Sequence, residues 1–109
     1  MITAIVYRTP EGTPRGFHIS GHAGFADPGQ DVVCAAVSML AINTANAVET
    51  LTEAGFTVNA DEKTGDIHLE LTSEDEKAAL LVEALALGLQ TLEKQYENFI
   101  SLKEEVRVC

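Results

Sequence analysis

Cys34 and His22 are the residues of this sequence whose types and spacing could do covalent chemistry. The stretch that links them, GHAGFADPGQD from Gly21 to Asp31, holds three glycines and a proline in eleven residues, so it reads as a loop rather than a strand or helix. Asp31 is a suitable N-cap for a helix beginning at Val32. That places Cys34 at the third helical position, inside the first turn, where unpaired N–H groups and the positive end of the helix dipole favour a thiolate. His22 stands where a strand gives way to the loop. If the loop folds the two together, the imidazole can take the thiol proton, the thiolate can attack a carbonyl, and the imidazolium can later protonate a leaving amine. Amides at the helix start, that of Cys34 among them, are candidate oxyanion donors.

Other readings of the same residues stay open at this level. A cysteine in an alanine-rich helix is ordinarily a core residue. His22, Asp31 and Cys34 could offer three metal ligands, but zinc sites show tighter paired spacing and a second cluster is missing, so neither metal nor cofactor is expected. Ser38 follows Cys34 by one helical turn and could hydrogen-bond toward the site, or back to its own helix. Gly24 and Gly29 serve the conformation of the loop, Gly29 following Pro28 as in a tight turn. A connection this long is above the usual length and is expected to act, from Ala23 to Gln30, as a lid that completes the site when substrate binds. His18 and His68 alternate with apolar neighbours and are assigned to solvent faces, and Cys109, after a charged segment, to an incidental thiol.

The elements that must position these residues emerge from periodicity. ITAIVY (2–7) and RGFHIS (15–20) read as strands joined by the turn TPEGTP, with Phe17 and Ile19 on one face and His18 and Ser20 on the other. From Val32 to about Ala54 the spacing predicts a helix ended by Gly55, with Ala35, Met39, Ile42 and Ala45 or Asn46 recurring along it and close packing on more than one side. A second hairpin, 56–60 and 66–71, flanks the polar loop DEKTG and turns Ile67, Leu69 and Leu71 to the core. Ser73 and Glu76 form a capping-box pattern ahead of an amphipathic helix with Leu81, Leu85, Leu89 or Leu92, and Tyr96 on its stripe. FISLKEEVRV adds a last strand. The order ββαββαβ is α+β, one small domain over 1–109 with a mixed or antiparallel sheet and two helices.

Composition narrows the partners. Seventeen acidic residues against seven Lys and Arg leave a formal charge of −10, the wrong sign for gripping nucleic-acid phosphates and a favourable one for meeting basic partners. The first residues, MITAIVYRT, lack the marks of a signal peptide, and apolar stretches fall short of a membrane span, so a cytoplasmic protein without membrane contact is expected. The two cysteines stand in no CxxC pair, which argues against a disulfide framework.

Gly21-His22-Ala23-Gly24-Phe25-Ala26, with Gly29, Asp31 and Val33-Cys34-Ala35-Ala36-Val37-Ser38 after it, resembles the signature of the Prp family of ribosomal-processing cysteine proteases, and the likeness extends over essentially the whole chain. The resemblance implies a homodimeric enzyme that removes a short N-terminal extension from the large-subunit ribosomal protein numbered twenty-seven. It implies His22 and Cys34 as the catalytic pair and Asp31 as a supporting residue that either orients the site or caps the helix, with Ser38 also matching the motif. A reading from another class is a noncatalytic ribosome-assembly factor that binds a basic partner and keeps Cys34 as a structural residue.

Overall fold

The computed structural model describes residues 1–21, 31–61 and 63–107. The strands are β1 (Ile2–Arg8), β2 (Pro14–Ser20), β3 (Phe56–Asp61), β4 (Asp66–Leu71) and β5 (Ile100–Val106), and the helices are α1 (Val32–Leu51) and α2 (Glu76–Gln95). The strands form one sheet in the order β3-β4-β2-β1-β5. All neighbours are antiparallel except β1 and β5, so the sheet is mixed, as expected.

Alternation along each strand sorts the sheet into two faces. Ala4 and Val6 of β1, Phe17 and Ile19 of β2, and Ile67, Leu69 and Leu71 of β4 are buried in one core with Val82, Leu85 and Leu89 of α2 and Val33, Val37 and Val48 of α1. Burying each of the larger side chains is worth about 1.5–3 kcal/mol, which is what holds the helices to this face. On the opposite face, the cross-strand partners His18 and His68 stack with ring centroids 4.9 Å apart. Both rings are half-buried, His18 lying 3.7 Å from Asp66 and His68 3.2 Å from Glu70. The Arg107 guanidinium covers Tyr7 at 3.9 Å.

At Gly16 β2 runs so near β4 that any Cβ would meet the Leu69 carbonyl oxygen. At the other end of β2 the chain leaves the sheet through Gly21, whose φ of 87° belongs to glycine and whose Cβ position lies 2.5 Å from the Met1 carbonyl oxygen.

Several expectations about the helices are corrected. Helix α1 stops at Leu51 rather than near Ala54, because Thr52 is extended and its hydroxyl donates back to the Val48 carbonyl at 2.7 Å while accepting the Ala54 N–H at 3.2 Å. Gly55 is therefore no cap, and its N–H donates to Ser73 Oγ at 2.8 Å. That bond also occupies Ser73, so α2 is capped by Asp75, whose carboxylate accepts the Ala78 N–H at 2.9 Å.

The face of α1 that packs is Val33, Val37, Ala41, Thr44 and Val48, whereas Ala35, Met39 and Ile42 are exposed. Finally, α1 is long and apolar enough to cross a membrane by length and composition, with a mean hydropathy of 1.5 over its most apolar window. Here it instead lies against α2, Leu40 reaching over Gly88, and the two helices run antiparallel with the end of α1 beside the start of α2.

Candidate active site

One end of the molecule gathers the start of β1, the end of β2, the start of β4, the end of α2 and the start of α1. Cys34 lies there as the third residue of α1, half-buried, its side chain packed against the core. The expected helix start is therefore in place. Asp31 adopts extended backbone, and its Oδ1 accepts the Cys34 N–H at 3.0 Å while its carbonyl oxygen accepts the Ala35 N–H at 3.1 Å. Of the two roles left open for Asp31, capping is the one this geometry displays.

The cap changes the chemistry available at this turn. Because the Cys34 amide is already bonded to a carboxylate, the expectation that it stabilises an oxyanion is corrected. Among the described residues, the helix-start amides with no bonded acceptor are those of Val32 and Val33. The Asp31 charge also offsets part of the positive potential of the helix end near Cys34. Stabilising a thiolate then falls more heavily on a cationic neighbour.

His22, Gly24, Gly29 and the whole of 22–30, with the lid expected over Ala23 to Gln30, lie outside the described residues, as does Cys109. Gly21 is the last described residue before that segment, exposed at the end of β2. Ser38 is exposed one turn along α1 from Cys34. Among the described residues there is no group of three His, Cys, Asp or Glu that could hold a metal ion.

Ser38 also borders a feature that the sequence pattern does not disclose. Between α1 and the β4 start lies a cavity of about 240 Å³, lined by Ile19, Val37, Ala41, Ile42 and Ile67, with Asp61 and Asp66 at its polar side. Cys34, Ser38 and Ile42 succeed one another at helical spacing, so a peptide laid along this face of α1 would run from the thiol to the cavity. That spacing was the available signal. The strands that close the cavity are far away in sequence and gave none.

A family model described as Cysteine protease Prp matches residues 1–101. The ribosomal processing cysteine protease Prp of Bacillus subtilis is 35% identical over 105 residues, covering 90% of this chain and 92% of the relative. Two crystal structures of the ribosomal processing protease Prp from Staphylococcus aureus are similar in fold. The one in complex with a covalently linked product peptide has 29% identity and a TM-score of 0.92, and covers 96% of this chain and 100% of that chain. The one with a substrate peptide has 28% identity and a TM-score of 0.86 at the same coverage.

Proposed function

Because the chain belongs to the cysteine protease Prp family, we propose that it is a cytoplasmic cysteine endopeptidase that removes the short N-terminal extension of the large-subunit ribosomal protein numbered twenty-seven, with Cys34 as nucleophile and His22 as its base. The observation that carries the assignment of Cys34 is its place at the third position of a capped helix, half-buried and one helical turn before Ser38, which borders an apolar cavity.

The reaction is built on those positions. His22 takes the thiol proton, and the Cys34 sulfur adds to the carbonyl carbon of the scissile peptide bond. The negative charge that develops on oxygen is met by the Val32 and Val33 amides, which point out of the helix end. The C–N bond then breaks, the amine leaves with the proton from the imidazolium, and water hydrolyses the thioester with His22 again as base. An extended substrate lies along α1 and places an apolar side chain in the cavity beside Ser38. The exposed apolar positions of α1, Met39 at 62% and Ile42 at 51%, support a homodimer as the working form.

The test incubates the protein and its Cys34→Ala and His22→Ala variants with the ribosomal protein carrying its extension, and maps iodoacetamide adducts on the native protein at neutral pH. A single cut in the extension, lost in both variants while their folds persist, and alkylation of Cys34 are expected. Near wild-type turnover in Cys34→Ala would overturn the proposal, and an inert Cys34 without cleavage would favour a noncatalytic binding role.

A further inference from the structure

A second concavity lies at the opposite end of the sheet. The turn between β1 and β2, the end of β4 and the first turns of α2 enclose a groove of about 600 Å³. Its floor is apolar, with Pro14 and Leu71 buried, Ala79 half-buried and Leu80 standing 69% exposed on the wall. Its rim is acidic. Glu11, Glu74 and Glu76 are exposed there, and none of the three forms an ion pair among the described residues.

The remaining charges of the lining are committed to the fold. Asp75 caps α2, and Glu83 receives both Arg8 nitrogens at 3.0 and 2.6 Å. Arg15, the cation of the lining, donates to the carbonyl oxygens of Leu71 and Ser73. What the groove offers a visitor is an apolar floor within a rim on which the unpaired carboxylates of Glu11, Glu74 and Glu76 outnumber the Arg15 guanidinium.

We propose that this groove is an exosite that holds a basic segment with an apolar side chain, belonging to the mature body of the substrate protein, while the extension reaches Cys34. The proposal rests on the reading of the substrate as a ribosomal protein, a class that must be basic to bind RNA phosphates. A second copy of this chain, itself at −10, and a nucleic acid would both be repelled by the rim. The groove borders the start of β2 and the cysteine lies near its end. The seven residues of that strand, at about 3.3 Å each, put roughly 20 Å between them. The docked segment therefore lies about six or more extended residues beyond the scissile bond.

The experiment uses a Glu11→Lys/Glu74→Lys variant and, separately, Leu80→Ser, all at exposed positions, with thermal melts to verify folding. Each is assayed on the full extended ribosomal protein and on a short peptide that spans the cut alone. Cleavage of the full protein should fall about tenfold through KM, with the peptide unaffected, and the advantage of full protein over peptide in the unaltered enzyme should shrink as salt rises. Equal effects on both substrates, or none on either, would overturn the exosite.

Binding of the mature ribosomal protein, without its extension, to the Cys34→Ala protein separates this question from the identity of the cut. Binding that the groove variants weaken supports the exosite even if no cut is made. Failure of the mature protein to bind overturns it, whatever the extension does.

Discussion

Asp31 Oδ1 accepts the main-chain N–H of Cys34 at 3.0 Å, so the residue that caps α1 and the residue that bears the thiol are held together through its first turn. This one bond sets where the helix begins and which of its amides remain to bind a ligand.

Asp31→Ala should lower stability by about 1 kcal/mol, whereas Asp31→Asn, which keeps an accepting oxygen, should lose only a few tenths. Removing the charge should also raise the rate at which iodoacetamide modifies Cys34 in the Asn variant, since a carboxylate no longer opposes the thiolate. Urea unfolding and alkylation rates check both parts, and an Asn variant as unstable as the Ala variant would refute the capping role.

Gly16→Ala should cost about 2 kcal/mol or more, because the new methyl group meets a main-chain carbonyl of β4 that cannot swing aside. Equilibrium unfolding measures it. Unchanged stability would mean that β2 and β4 separate more easily than the shared core implies.

The pair between Arg8 and Glu83 predicts a pH dependence of stability. Hydrogen bonding from Arg8 holds the Glu83 carboxyl below its ordinary value of 4.5, against a smaller opposing effect of burial. A lowered carboxyl stabilises the fold above its ordinary value and loses that contribution as pH falls through the lowered one. Glu83 remains partly exposed, so screening limits the pair to about 0.5–1 kcal/mol. Glu83→Gln should therefore be less stable than the native protein at neutral pH, and the gap should close as pH falls below the ordinary carboxyl value and through the lowered one. A gap that widens on acidification would contradict the sign.

Met39→Glu should convert a dimer to a monomer without lowering monomer stability by more than about 0.5 kcal/mol, because Met39 lies outside the core and does not line the cavity near Cys34. Light scattering at micromolar concentration distinguishes the 11.7 kDa chain from its dimer. A native protein already at the monomer mass would remove the basis of this prediction.

The strands, the hairpins and the start of α1 were legible in the sequence because each depends on residues only a few positions apart. Alternation places Phe17 and Ile19 opposite His18, and a cap acts over three residues from Asp31 to Cys34. The start of α2 needed more than its local pattern. Ser73 matches a capping box, but its hydroxyl is taken by Gly55, eighteen residues away, and the cap passes to Asp75.

The buried face of α1 was likewise undetermined. A helix with apolar residues all round packs through whichever side meets α2 and the sheet, which here is Val33, Val37 and Ala41 rather than Met39 and Ile42. The cavity beside Ser38 and the acidic groove at the far end combine residues from separate elements, as does the parallel pairing of β5 with β1. The order of residues was enough to specify the local elements and the turn that carries Cys34. Their partners and the concave surfaces between them came from tertiary packing, because burial is non-directional and selects a face by what lies opposite it rather than by what precedes it in the chain.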